Sequence, residues 1–142
     1  MTDKTLELIA NFSPQLINIP VNKCELEEVI DTLINLMFPI CNCPEDLHVQ
    51  EGLKTAADKL HANITTLHNR QSADEKTEAF FALYPSLQER LYKDAACYLQ
   101  YDPAAKSLEE VVITYPGFYA LCAHRIAHAL YQLGLPLISR LF

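Results

Sequence analysis

Two histidines near the C-terminus have a spacing that suits metal binding. His124 and His128 lie four residues apart in a predicted helix, so both imidazoles share one face. The zinc-binding motif HExxH requires a glutamate directly after the first histidine, but Arg125 stands there, and no third ligand accompanies the pair. Helix packing or a hydrogen bond between helices is the favoured interpretation, and a small metalloprotein is the alternative.

The five cysteines form no metal-binding or disulfide pattern. Cys41 and Cys43 are separated by one residue, which is tighter than the spacing usual for zinc thiolates, and no second pair follows. The sequence predicts a structural connector there and reduced thiols throughout. No Cys–His pair is distinguished as a nucleophile and its base, and Gly-x-Ser-x-Gly, Walker and GxGxxG motifs do not occur. We therefore predict no catalytic residue in this segment.

Asp102 has the best position for contacting a ligand. It stands in a predicted turn between two helices, preceded by Tyr101 and followed by Pro103, which restricts the backbone. A carboxylate in such a turn is not consumed by a helix face and can pair with a cationic group. From the residues alone, an Asp-Pro turn that only ends a helix is the favoured interpretation, and a ligand contact is the alternative.

The elements that must hold these residues are helices. Only three glycines occur in 142 residues, where average usage of about 7% would give roughly ten, so hairpin-rich and phosphate-loop folds are disfavoured. Asn22, Ser72 and Ser107 each precede a glutamate by three residues, as in a capping box, and apolar residues recur at helical spacing. The sequence predicts an all-α bundle of about six to eight helices with no sheet. The predicted helices cover residues 22–37, 44–69, 72–84, 85 to the break at 101–103, 108–114 and 118–133, with a further turn from residue 136.

Charge and hydropathy restrict the partners and the location. Eleven basic against eighteen acidic residues give a net charge of −7, and no dense run of Lys or Arg occurs. Nucleic acid and membrane are therefore not expected as partners. The N-terminus is acidic and amphipathic rather than signal-like, and no apolar run approaches the roughly 18 residues that a membrane span needs. The sequence predicts a cytoplasmic protein.

Three blocks from Asp102 onward resemble a known enzyme family. They are Asp102-Pro-Ala-Ala, Tyr115-Pro-Gly-Phe-Tyr-Ala-Leu and His124-Arg-Ile-Ala-His-Ala-Leu-Tyr. In this order and spacing they resemble the segment that closes the N-terminal helical domain of bacterial serine O-acetyltransferases. Tyr119 stands where that family usually has histidine, and Ala129 stands where it often has tryptophan.

The resemblance implies that residues 1–142 are the N-terminal helical domain of such an enzyme. In the family a left-handed β-helix of hexapeptide repeats follows at once, binds the co-substrate acetyl-CoA and carries the catalytic histidine. Three glycines cannot supply those repeats, so the catalytic domain is expected downstream, and no cofactor or metal is expected on this segment. The intact enzyme is expected to convert L-serine and acetyl-CoA to O-acetyl-L-serine, in the first step of cysteine biosynthesis from serine.

The resemblance also implies partners and one substrate-binding residue. Asp102 matches the family aspartate that contacts the amino group of L-serine or of the feedback inhibitor L-cysteine. The helical domain is expected to join two trimers into a hexamer, and O-acetylserine sulfhydrylase is a further partner, through a C-terminal tail outside this segment. The isolated segment is expected to be inactive. The alternative is a stand-alone helical protein–protein interaction module whose C-terminal similarity is fortuitous.

Overall fold

Helices make up the described fold. A computed structural model describes residues 3–10, 17–39 and 48–142. The helices within these ranges are α1 (Asp3–Ala10), α2 (Lys23–Met37), α3 (Val49–Thr65), α4 (Arg70–Tyr101), α5 (Leu108–Thr114), α6 (Pro116–Gln132) and α7 (Pro136–Leu141). Those ranges contain no strand, so the prediction of an all-α bundle of six to eight helices is confirmed.

One apolar core is shared by α2 to α7. α2 packs on α3, α4 contacts α3, α5 and α6, and α7 folds back onto α6 and α2. Because each large apolar side chain that leaves water contributes roughly 1.5–3 kcal/mol, this core fixes the helices relative to one another. The largest fully buried side chains are Phe80, Phe118, Leu26, Leu33, Met37, Leu60, Ile64, Leu91, Ile126, Leu130, Leu135 and Ile138. In the part of the chain that the structure describes, no helix is both long and apolar enough to cross a membrane.

Two predicted helix starts are capped as the sequence indicates. The Asn22 Oδ1 accepts a hydrogen bond from the Glu25 N–H at 3.2 Å, and the Ser107 Oγ accepts one from the Glu110 N–H at 3.1 Å. Gly134 follows α6 with a φ of +76°, a left-handed conformation that glycine adopts at low cost. These local signals therefore predict the starts of α2 and α5 and the end of α6.

α4 is one helix of 32 residues, and the prediction of two helices separated at Pro85 is wrong. A proline removes one backbone donor and usually breaks a helix. Pro85 lies on the exposed side of α4, however, while Phe80, Tyr84 and Leu87 around it pack into the same core. The Tyr84 hydroxyl also donates a hydrogen bond to the Leu33 carbonyl at 3.0 Å. Packing on both sides of the proline therefore outweighs the lost hydrogen bond.

The segment before α4 also differs from the prediction. α3 covers Val49–Thr65, whereas the sequence predicted a helix from Pro44 to about residue 69, and residues 40–47 lie outside the described ranges. The cap of α4 is Asn69, whose Oδ1 accepts a hydrogen bond from the Ser72 N–H at 2.9 Å. Because Asn69 occupies the cap, Ser72 lies in the first turn of the helix and does not begin it.

Candidate functional site

The Asp102 turn joins α4 to α5 and has a fixed backbone. The Asp102 N–H donates to the Tyr98 carbonyl at 2.9 Å, which closes the last turn of α4. Asp102 itself is extended (φ −96°, ψ 110°), as expected for the residue before Pro103. Its Oδ1 accepts a hydrogen bond from the Ala104 N–H at 2.9 Å. The predicted break in the helix is confirmed, and one oxygen of the carboxylate is held by the turn.

Tyr115 brings the start of α6 against the same carboxylate. Its ring meets the Tyr98 ring edge-on with centroids 5.9 Å apart, and its hydroxyl interacts electrostatically with Asp102. Burial and, to a smaller extent, the negative charge of Asp102 raise the pKa of the Tyr115 hydroxyl. None of the ion pairs in the described ranges involves Asp102. One oxygen of its carboxylate is held by the Ala104 N–H, and its charge has no ion-pair partner among the described residues.

Asp102 lies in an open groove between the end of α4 and the first half of α6, which we name the Asp102 groove. The side chain of Tyr101 beside it is 74% exposed. The residues that line the groove are Asp94, Cys97, Tyr98, Tyr101, Asp102, Pro103 and Leu121. Carboxylates form charge-assisted hydrogen bonds with ammonium groups, and tyrosine rings attract cations to their faces. The groove therefore suits a small ligand that carries an ammonium group.

An ion pair between α4 and α6 borders this groove. The Arg125 guanidinium donates from Nε and Nη2 to the two carboxylate oxygens of Asp94, the Nη2–Oδ1 distance being 2.8 Å. The hydrogen bonds to Asp94 raise the pKa of Arg125. The side chains of Arg125 and Asp94 are only 32% and 21% exposed, so water screens the pair weakly. The charge of Asp94 is thus compensated, and Asp102 supplies the unpaired charge of the groove.

Arg125 also belongs to a second cavity between α4 and α6, which we name the basic cleft. Its volume is about 150 Å³, and it is lined by Leu83, Ser86, Leu87, Arg90, His124, Arg125, His128, Ala129 and Gln132. The His124 and His128 rings have centroids 6.3 Å apart and planes inclined by 24°, so the predicted shared face is confirmed. Among residues 3–10, 17–39 and 48–142, no group of three or more His, Cys, Asp or Glu could hold a metal ion.

The described cysteines are free thiols in different surroundings. Cys24 and Cys97 are exposed, and Cys97 lines the Asp102 groove. Cys122 is buried, and burial is the main cause that raises its pKa to about 12, so its thiol stays protonated at neutral pH. Cys41 and Cys43, for which the sequence predicted a structural connector, lie outside the described residues. Cys122 therefore behaves as a small apolar core residue rather than as a nucleophile.

Sequence reasoning missed the side chains that join helices across long stretches of chain. The Arg125–Asp94 pair spans 31 positions, and the Tyr119 hydroxyl donates to Asp31 at 2.5 Å across 88 positions. The His61 Nε2 also lies 2.7 Å from a carboxylate oxygen of Asp74 on α4. Each of these pairs joins two helices whose packing is set by the core, and no local motif signals such a pair.

Part of the chain is similar to proteins named serine acetyltransferase. The serine acetyltransferase of a Synechococcus elongatus plasmid is 49% identical over 72 residues, which are 50% of this chain and 22% of that protein. The Bacillus subtilis serine acetyltransferase is 47% identical over 51 residues, which are 36% of this chain and 24% of that protein. No protein-family model matches the chain.

Solved structures with the same name share the fold over nearly the whole chain. Serine acetyltransferase isoform 3 of Entamoeba histolytica, in complex with cysteine, matches with a TM-score of 0.72 and 23% identity over 96% of this chain and 51% of that chain. Serine acetyltransferase 1 of the same organism, in complex with L-cysteine, also gives a TM-score of 0.72, over 94% of this chain and 52% of that chain. The fold is therefore the helical one that forms about half of each of these solved chains.

The chain is a homologue, over part of its length, of serine acetyltransferases, and the resemblance predicted from the sequence is confirmed. It spans about half the length of the solved structures that it matches. The matched segments are less than a quarter of the two curated relatives, at 22% and 24% of their lengths.

Proposed function

We propose that this chain is the N-terminal helical domain of a serine O-acetyltransferase and that Asp102 binds the amino group of L-serine. The observation that carries the proposal is the Asp102 groove, where a carboxylate with an unpaired charge is held by a fixed turn. Homology to proteins named serine acetyltransferase supports the enzyme class. Two solved relatives are complexes with cysteine, an amino acid that carries the same ammonium group as serine.

Asp102 serves binding and orientation in this proposal. The ammonium group of the substrate pairs with the carboxylate through a charge-assisted hydrogen bond, while the Ala104 N–H holds Oδ1 in place. Such a contact orients serine without making or breaking a bond. The rings of Tyr98 and Tyr101 offer further attraction to the cation. Asp102 therefore selects ligands that carry an amino group: L-serine as the substrate and L-cysteine as the feedback inhibitor.

The chemical step belongs to a left-handed β-helix domain downstream of residue 142. A histidine of that domain takes the proton of the serine hydroxyl, whose oxygen attacks the thioester carbonyl of acetyl-CoA. CoA leaves as the thiol, and the new ester is O-acetyl-L-serine. In this proposal the catalytic residues and the acetyl-CoA site belong to that domain rather than to residues 1–142. The reaction is the first step of cysteine biosynthesis from serine, and we assign it to the cytoplasm.

Assembly is the second role that we propose for the helices. The surface formed by α5 and the end of α2 is apolar, and Ile113, beside Val112 and Phe38, is 55% exposed. Exposed apolar patches often mark contact sites between proteins. This surface supports contacts between copies of the chain, through which two trimers join into a hexamer. O-acetylserine sulfhydrylase is a further partner, through a C-terminal tail.

Reading the gene beyond the codon for Phe142 and assaying the encoded protein tests the proposal. We expect hexapeptide repeats, and a full-length protein that releases CoA from acetyl-CoA only when L-serine is present. The 142-residue chain alone should release none. A stop codon directly after Phe142 would contradict the domain assignment, as would serine acetylation by the 142-residue chain. An active full-length protein that does not require L-serine would contradict the substrate.

A stand-alone interaction module is the second candidate, because the same apolar surface on α5 would also suit a partner protein. A stop codon after Phe142, together with a helical protein that captures a defined partner through Ile113, would favour it. In that case Ile113→Ser should abolish capture and leave the helical circular dichroism spectrum unchanged. Hexapeptide repeats downstream would exclude this candidate.

A further inference from the structure

Three exposed side chains able to carry positive charge line the basic cleft. Arg90 lies on α4, and His124 and His128 lie one turn apart on α6. Within the described ranges, none of the three makes a hydrogen bond or an ion pair, and the two imidazoles stack on each other. The remaining cation, Arg125, is bound by Asp94. The cleft therefore holds unpaired hydrogen-bond donors on both of its walls.

This concentration of donors contrasts with the composition of the whole chain. The net charge is −7, yet the residues that line the cleft include no carboxylate. Asp94, on α4, reaches the cleft only through Arg125. Glu89, next to Arg90 on α4, binds Lys93, and the hydrogen bond and charge of Lys93, then the charge of Arg90, lower the pKa of Glu89. The guanidinium and imidazole N–H groups that line the cleft are hydrogen-bond donors, and no carboxylate in the lining competes for them. The charge pattern therefore favours an anionic ligand.

The same lining argues against the metal site that the histidine spacing left open. Two histidines one helical turn apart can hold a divalent metal. Arg90 and Arg125 stand in the same cleft, however, and their charges repel a divalent cation. Guanidinium forks and imidazole N–H groups are instead donors that match a group with several acceptor oxygens. The chemistry of the lining selects an oxyanion.

The size of the cleft limits the ligand further. Its volume of about 150 Å³ equals that of a protein cavity known to hold one benzene molecule. A tetrahedral oxyanion has room there. The Gln132 side-chain amide adds a neutral donor, and Leu83 and Leu87 add apolar side chains to the lining.

We infer that the basic cleft binds a small tetrahedral oxyanion, phosphate or sulfate, through Arg90, His124 and His128. The cleft is distinct from the Asp102 groove, because the two share no lining residue. The Arg125–Asp94 ion pair lies between them. The site does not depend on the proposed acetyltransferase activity, since its ligand touches no residue of the Asp102 groove.

Calorimetric titration of the chain with phosphate, and separately with sulfate, at constant ionic strength tests this inference. We expect saturable binding that chloride does not reproduce. Arg90→Gln, and the double change His124→Gln with His128→Gln, should each weaken binding by about tenfold or more, as the loss of one charge-assisted hydrogen bond predicts. Arg70→Gln makes the same chemical change at the exposed start of α4, outside the cleft, and should leave the affinity unchanged.

Circular dichroism shows whether each variant is folded, and Arg90→Lys replaces Arg90→Gln if the latter is not. Arg90→Lys keeps the charge but loses the fork, so it should weaken binding less. Absence of saturable binding by both anions would overturn the inference. Equal weakening by Arg70→Gln would also overturn it, because the effect would then be unspecific screening. Stoichiometric zinc binding that disappears in the histidine double variant, without phosphate or sulfate binding, would assign the cleft to a metal instead.

Discussion

The Asp102 groove and the basic cleft are built by the same two helices but carry opposite charge. Asp94 lines the groove, Arg125 lines the cleft, and the two side chains bind each other. The groove continues from this ion pair toward the C-terminal end of α4, where Asp102 stands. The cleft continues toward the middle of α4 and the C-terminal half of α6. Along this antiparallel helix pair, acidic side chains line the cavity near the C-terminal end of α4, and arginines line the cavity near its middle.

Without a bound ligand, the charge of Asp102 is in an unfavourable position. Asp102 caps the C-terminal end of α4, where the helix dipole is negative and a carboxylate is electrostatically unfavourable. A bound ammonium group relieves that repulsion. In the cleft, Arg90 makes no ion pair among the described residues, and an anion would pair with its guanidinium. Both regions thus hold unpaired charge that a ligand of opposite sign would stabilise.

Removing Asp102 should give the largest effect on the groove. In the full-length protein, Asp102→Ala should lower kcat/KM for L-serine by about tenfold to a hundredfold, because one charge-assisted hydrogen bond contributes about 1.5–3 kcal/mol. Inhibition by L-cysteine should weaken by a similar factor. Steady-state kinetics with acetyl-CoA at saturation measures both effects. Phosphate binding to the basic cleft should not change, which would show that the two regions are independent.

Asp102→Asn separates charge from geometry in the same experiment. Asparagine keeps an oxygen for the Ala104 N–H but removes the negative charge. It should therefore lower kcat/KM nearly as much as Asp102→Ala while preserving the turn. Kinetics unchanged in both variants would contradict the assignment of Asp102 to the substrate.

Removing the Asp94 carboxylate should lower the stability of the protein and change the charge of the basic cleft. Asp94→Asn leaves the Arg125 guanidinium partly buried without its counter-charge, and we expect a loss of about 1–2 kcal/mol in the free energy of unfolding. Urea denaturation followed by circular dichroism measures it. The freed guanidinium should also tighten oxyanion binding in the basic cleft. Tighter binding with lower stability would show that Asp94 divides the charges, whereas weaker binding would show that the pair mainly positions the cleft.

The fold could be predicted from the sequence wherever its signals are local. Asn22 and Ser107 each cap a helix through a backbone N–H three residues ahead, and Pro103 forces Asp102 out of the helix. Such contacts depend on neighbours in the chain and leave a readable pattern. At Pro85 the local rule failed, because burial of core residues on both sides keeps α4 continuous. Tertiary packing decided what local propensity could not.

The site was predictable only in part for the same reason. Asp102 and the shared face of His124 and His128 follow from the turn signal and the helical period. The partners across helices do not: the contact of Tyr115 with Asp102 and the Arg125–Asp94 pair depend on how α4 packs against α6. The opposite charges of the two cavities therefore became visible only in three dimensions.

The hydrogen bond between Tyr119 and Asp31 joins α6 to α2 through a neutral donor. Its removal should have the smallest effect on stability among these predictions. Tyr119→Phe should lower the free energy of unfolding by about 0.5–1 kcal/mol at neutral pH, less than the loss of the ion pair to α4. The hydrogen bond to Asp31, then burial, raises the pKa of Tyr119 from 10.0 to about 12.

A pKa that is raised in the folded state stabilises the protein below the unfolded value and loses that effect as the pH rises through the folded value. The difference in unfolding free energy between the wild type and Tyr119→Phe should therefore shrink between pH 10.0 and about 12. Tyr84 and Cys122, whose pKa values are also raised to about 12, are present in both proteins and cancel in the difference. A difference that stays constant across this range would mean that Tyr119 does not donate to a carboxylate.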